Sequence, residues 1–151
     1  MSLPTHTAAV DEILGLFREH WNAETPALNG GDAVRVEWPG VDSGDAPKPT
    51  EAYARVRVRH TTSRQATFGP TGGRRFTRPG FVAVQVFAPI AGGAGLTFAE
   101  SLSIIARNAF EGRGTDSGIW FRRSVIEDIG QTEGTWHQMN VVVEFEYDEM
   151  R

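Results

Sequence analysis

Apolar residues at Val10, Ile13, Leu14, Phe17 and Trp21 recur at the three-to-four-residue spacing of one helix face, with Asp11, Glu12, Arg18 and Glu19 between them. Residues 7–22 therefore read as an amphipathic helix, with Thr7 as the expected N-cap. Pro26 and Asn29-Gly30-Gly31 break that pattern, and Val34, Val36 and Trp38 then alternate with polar residues as a short strand. Residues 39–50, with three prolines and two glycines, form a loop. Beyond it Ala54, Val56 and Val58 alternate with Arg55, Arg57 and Arg59. A period of two buries one face of that strand and lines the other with guanidinium groups.

Residues 61–68 either continue this strand or start a hairpin whose turn is Gly69-Pro70-Thr71-Gly72-Gly73. The return arm spans 74–89, with a bulge expected at Pro79-Gly80. Its second half, Phe81 to Phe87, is apolar on nearly both faces and predicts a central strand covered on both sides. Gly92-Gly93-Ala94-Gly95 opens a second helix over 97–111, with Ala99, Leu102, Ala106 and Phe110 as its buried stripe and Ile105 beside them; Gly112 and Gly114 stop it. Two closing strands, 119–129 and 135–147, flank a turn at 130–134; in the last one Met139, Val141, Val143, Phe145 and Tyr147 form the core side. Only the strands flanking the second helix suit a parallel crossover, and the rest read as hairpins. The predicted class is α+β: a mixed, mainly antiparallel sheet, two helices packed on it and a long projecting hairpin at about 61–80, in one domain over 1–151.

Composition narrows the chemistry. At 151 residues the chain can bury one sizeable core, and its 40% apolar and 23% charged content is ordinary for a globular protein. No apolar run approaches a bilayer crossing. The start lacks a basic residue before its apolar part and carries Asp11 and Glu12 within it, so a secretory signal is not expected and synthesis in the cytoplasm is. Without cysteine there is no disulfide, thiolate metal site or thiol nucleophile. His6, His20, His60 and His137 lie in separate segments without metal-ligand spacing, and no Ser sits in a Gly-x-Ser-x-Gly elbow. Gly92 to Gly95 lacks the Gly-Lys-Ser/Thr of a phosphate loop, and Phe98 stands where a dinucleotide fingerprint needs its third glycine. No catalytic residue, metal ligand or cofactor site is assigned.

Charge is distributed unevenly. Ala52 to Ala99 contains seven arginines and no Asp or Glu, in a chain whose net charge is −4. Arg55, Arg57 and Arg59 on one sheet face suit a phosphate backbone or a row of carboxylates, and the obvious row is Glu144 and Glu146 on the polar side of the final strand. These five residues are candidates for cross-strand pairs within one subunit or across an interface between subunits. Arg64, Arg74, Arg75 and Arg78 flank the Gly-rich hairpin tip and are candidates for a docking arm that contacts a partner protein or DNA. Interleaved Phe68, Phe76 and Phe81 would also suit a nucleic-acid-binding module, against which the acidic net charge weighs.

The order of segments carries a resemblance. A helix ends in Trp21, a short strand closes on Val36-Glu37-Trp38-Pro39, and a Pro-rich loop leads to the strand Tyr53 to His60. An Arg-flanked Gly-rich hairpin follows, then Gly80 to Pro89, the turn Gly92 to Gly95, a helix and two closing strands. Over nearly its whole length this order resembles the tail terminator, or tail completion, proteins of long-tailed bacteriophages. The resemblance implies an α+β structural protein without catalytic residues, forming a six-membered ring that caps the tail tube, ends its polymerisation and presents a surface to the head. Its implied partners are further copies of itself, the tail tube protein and head–tail connector proteins, with DNA in the ring channel and no membrane. The implied location is the head–tail junction of the virion. Another ring-forming neck or tube component is the nearest alternative.

Overall fold

The computed structural model describes residues 3–151, so the first two positions of the expected domain lie outside the described residues. The first helix, α1 (His6–Glu24), starts slightly earlier than its apolar periodicity suggests: Thr5, not Thr7, is the N-cap, and its hydroxyl accepts a hydrogen bond from the Ala8 N–H. Ala9, Ile13, Phe17 and Trp21 are fully buried, while Val10 and Leu14 sit at the rim. The Trp21 indole N–H donates to the Val34 carbonyl at 2.9 Å. Thr25, at the start of a 3₁₀ turn (Thr25–Leu28), donates its hydroxyl to the Trp21 carbonyl and accepts from the Val34 N–H. The helix end and the entry to the sheet are thus joined by satisfied buried hydrogen bonds.

The strands are β1 (Arg35–Glu37), β2 (Tyr53–His60), β3 (Arg64–Gln65), β4 (Arg75–Pro89), β5 (Trp120–Thr132) and β6 (Trp136–Met150); α2 (Gly95–Asn108) lies between β4 and β5. They form one six-stranded mixed sheet in the order β1-β2-β4-β6-β5, with β3 pairing to β4. The class is α+β, as the element order predicts. The parallel neighbours are β1 and β2, not the strands flanking α2. A parallel connection needs about a dozen residues, and the Pro-rich loop between Glu37 and Tyr53 is long enough to supply it without a helix. β4 and β5, which flank α2, are separated by β6, antiparallel to both.

Both helices cover the same side. Ile13, Phe17 and Trp21 of α1 and Leu102 and Ala106 of α2 pack in one cluster with Val82, Val84 and Val86 of β4 and Val141, Val143 and Phe145 of β6. The other side of β4 carries Phe81, Ala83 and Gln85, which are only half-buried. From Phe81 to Gln85 the central strand is therefore covered on one side, contrary to the expectation of two, while Phe87 on the same open side is buried and stacked on Tyr53. Its apolar residues on the open side lie level with Arg57 and Arg59 of β2, through the pairs Arg57↔Ala83 and Arg59↔Phe81. Long arginine stems can shield apolar surface while their charged ends stay in water.

The bulge expected at Pro79-Gly80 is absent. β4 pairs regularly with β6 along its whole length, including Pro79↔Glu146 and Gly80↔Phe145. His60 pairs with Gly80 but Arg64 with Thr77, so the extra residue falls on the opposite side, within residues 61–63. Gly80 answers to crowding instead: a Cβ there would lie 2.3 Å from the Arg59 carbonyl oxygen and 2.5 Å from the Phe145 ring. The turn between β5 and β6 is tight, with Glu133 and Gly134 both at positive φ, 56° and 66°, the pattern of a hairpin turn that matches strand twist.

Candidate functional site

The open side of the sheet is the principal unoccupied surface of the fold. A groove of about 670 Å³ runs over it, floored by Phe81, Ala83 and Val142, walled by Arg55, Arg57 and Arg59, and closed at one end by Trp38-Pro39-Gly40. A smaller recess of about 320 Å³ adjoins it at Arg55 and Gln85 and reaches Trp136. The space between helices and sheet, by contrast, is filled by the core side chains.

Of the five residues expected to pair across strands, the sheet separates the two groups. β4 lies between β2 and β6, so Arg59 and Glu144 flank Phe81 on opposite sides without touching. Each group finds other partners or none. Arg55 donates Nε–H to Glu37 on β1 at 2.6 Å, a bond that raises the Arg55 pKa while partial burial works against it; the guanidinium also lies 5.5 Å from the centre of the Phe87 ring. Glu146 is taken by Arg122 of β5 at 2.7 Å. Arg57, Arg59 and Glu144 are exposed and have no ion-pair partner among the described residues. β1 covers only Tyr53 to Arg55, so among the described residues the outer edge of β2 from Val56 to His60 has no strand beside it. The expected Arg–Glu pairing within one chain is therefore corrected: β2 and β6 are not neighbours.

The four arm candidates also divide. Arg64 is exposed on the short β3, and Phe68, in the loop that follows, is 97% exposed. Arg74 exchanges backbone hydrogen bonds with Arg151, and its guanidinium donates to the Thr71 hydroxyl. Arg75 lies on β4 near Asp148, at 3.8 Å. Arg78 is not on an arm. It sits in the sheet on the helix-covered side, bound to Glu149 through Nε at 3.0 Å and Nη2 at 2.8 Å and largely buried with it. The flap is residues 61–74, tied to β4 where Arg64 and Gln65 pair with Thr77 and Phe76; the 75–80 part of the expected arm is an internal strand held by β6.

Arg78 belongs to a cluster that sequence spacing does not indicate, because its members come from four elements. The His60 ring of β2 stacks on His6 of α1 at 3.9 Å, and its Nε2 lies 2.6 Å from the Tyr147 hydroxyl of β6. Burial lowers the His60 pKa, and the facing His6 and Arg78 lower it further, against an opposing contribution from Glu149. Burial, reinforced by Glu149, pushes Tyr147 up to about 12. A His whose folded value lies below its unfolded value near 6.5 resists a proton that the unfolded chain accepts. Its contribution to stability is complete above that unfolded value and is lost as pH falls below it. The melting temperature is expected to fall between pH 7.5 and 5.5, with a shallower slope in His60→Phe; an identical slope in the variant would contradict this assignment.

Several solved structures share the fold. One, of a protein whose name states no role, aligns with a TM-score of 0.60 at 17% identity, over 91% of this chain and 94% of that one. Another is a chain in the virion of a native gene transfer agent particle, with a TM-score of 0.50 at 17% identity, over 90% of this chain and 91% of that one. No family model matches the sequence, and no curated protein matches it. At this identity the likeness establishes a common fold. Among the described residues, no three His, Cys, Asp or Glu side chains gather as a metal site, and no helix is long and apolar enough to cross a membrane.

Proposed function

We propose that this chain is a structural protein of a phage-like virion, acting without catalysis as a tail terminator: copies join head to tail into a ring of six that caps the tail tube and offers its other surface to the head. The observation that carries the reading is the open sheet face, where Arg57 and Arg59 on one side and Glu144 on the other remain exposed and unpaired. A closed head-to-tail ring needs two different, complementary surfaces on each subunit, and exposed Arg57 and Arg59 with the single exposed carboxylate of Glu144, beside the Arg122–Arg123 bulge, are the candidate pair. The order of segments supports the same reading, as does the fold shared with a chain of a gene transfer agent virion. The chain's net charge of −4 weighs against a dedicated nucleic-acid-binding module, although exposed arginines facing a ring channel would tolerate DNA.

In this reading the flap with Arg64, Arg74 and Phe68, together with neighbouring Arg75, meets the tube beneath the ring. In a host producing the particle, Arg74→Glu with Arg75→Glu is expected to leave rings intact while tails lose their uniform length or fail to join heads. Tails of normal length and infectivity would remove the flap from this role. A neck or tube component of the same particle is the second reading, favoured if the purified protein polymerises into open tubes.

A further inference from the structure

Beyond Phe121, where Gly114 bridges Trp120 and the Arg113 carbonyl accepts from the Phe121 N–H, the outer edge of β5 has no strand beside it among the described residues. Val125 and Ile129 along that free part are 47% and 49% exposed, an apolar content unusual for an edge left to water. Register shifts occur between Phe121 and Ser124 and between Asp128 and Gly130, leaving Ser124 to Asp128 as a regular segment with alternate backbone groups facing outward.

Residues 122–128 read Arg-Arg-Ser-Val-Ile-Glu-Asp, two cations and two anions placed symmetrically about Val125. An antiparallel pair formed by two copies of this segment and centred on Val125 sets Ser124 opposite Ile126 and brings the Arg122–Arg123 bulge level with Glu127 and Asp128 of the other copy. Within one chain Arg122 is engaged by Glu146 and Asp128 by His137, each at 2.7 Å. Arg123 and Glu127 are exposed and have no ion-pair partner among the described residues. Val125 and Glu127 pair with Val142 and Asn140, which line or adjoin the open side, and the two bulged arginines face Glu144 on that same side. The other free edge, Val56 to His60 of β2, is a poorer match: a level join would bring Arg59 to the Arg122–Arg123 bulge, like charge against like.

We infer that β5 is a self-pairing edge: two copies of the chain join antiparallel across a two-fold axis at Val125, each Arg123 facing Glu127 of the other copy. The contact extends the sheet from one copy into the next, shields Val125 and pairs both free charges. Being two-fold, it differs from the head-to-tail contact that closes a ring, and it joins two subunits or two rings; it does not depend on the tail-terminator reading.

The absence of native cysteine makes a direct test available. Val125→Cys, oxidised in dilute solution, is expected to give a disulfide-linked dimer as its main product, because residues opposite each other in such a pair bring their Cα atoms within about 4.5–5.5 Å. Ile104→Cys, on the exposed side of α2, is the control. Arg123→Glu and Glu127→Arg should each raise the dimer dissociation constant by about tenfold, and the double variant, which restores opposite charges, should reverse most of that loss. Cross-linking of Val125→Cys no better than the control, or a double variant as weak as the singles, would overturn the inference. Rings seen by microscopy without this cross-link would sustain the functional reading and remove only the β5 contact.

Discussion

Gly80→Ala is expected to destabilise the folded chain by about 3 kcal/mol or more, at or above the upper end of ordinary overpacking. Two obstacles meet the new methyl group. The Phe145 ring, 2.5 Å from the added Cβ, is itself 1% exposed and has no room to retreat; the Arg59 carbonyl oxygen, at 2.3 Å, is backbone in the β2–β4 ladder. Relief requires opening the sheet where β2, β4 and β6 meet. In an unconstrained strand the same change is favourable by roughly 0.5–1 kcal/mol, because Gly loses more entropy on folding. The sign of the effect therefore reports the crowding. For a chain of this size the expected cost corresponds to a melting temperature lower by roughly 10 °C, and Gly80→Val should be worse still. A melting temperature unchanged or raised in Gly80→Ala would show that the close approach is wrong.

Arg57→Glu with Arg59→Glu is expected to abolish ring closure while leaving each chain folded. Neither arginine has an ion-pair partner among the described residues, so their reversal breaks none of the described salt bridges. In the ring reading they meet carboxylates of the neighbouring subunit, with Glu144 the available counterpart. Charge reversal converts attraction to repulsion, and close interfacial charge pairs couple by about 1.5–7 kcal/mol, so association should weaken at least a hundredfold. High salt should weaken the wild-type assembly in the same direction if these charges stay partly hydrated. Adding Glu144→Arg should recover part of the loss. Sedimentation of the double variant as wild-type assemblies would exclude this face from the interface.

The sequence is informative wherever a period alone decides the outcome. Ile13, Phe17 and Trp21 mark the buried face of α1, and Ala54 and Val56 that of β2, because burial on one side writes a regular pattern into neighbouring residues. Arg55, Arg57 and Arg59 lie together on the open side for the same reason. Neighbourhood within the sheet is not written in any local period. Arg59 and Glu144 have suitable charges and a shared face, yet β4 lies between them, and only the chain's long-range pairing decides that. Phe81 to Phe87 reads as doubly covered because apolar residues on an open side look the same in sequence as buried ones. In sequence Gly80 reads as a bulge, a common role for a strand glycine, while the ring that demands it comes from Phe145, far along the chain. The His6–His60–Tyr147 cluster left no sequence signal, since its parts lie on separate elements. The charge symmetry of 122–128, by contrast, stands in the sequence and acquires meaning once β5 is known to be an outer strand.

In the proposed function this chain closes into a ring through unlike faces, and electron microscopy of the purified protein, with its mass measured in the same buffer, decides whether it does. The expected result is ring-shaped particles with a central channel and six-fold views, and a mass that is a multiple of six 16.6 kDa chains. A monomer or simple dimer persisting at high concentration, or open-ended tubes, would contradict it.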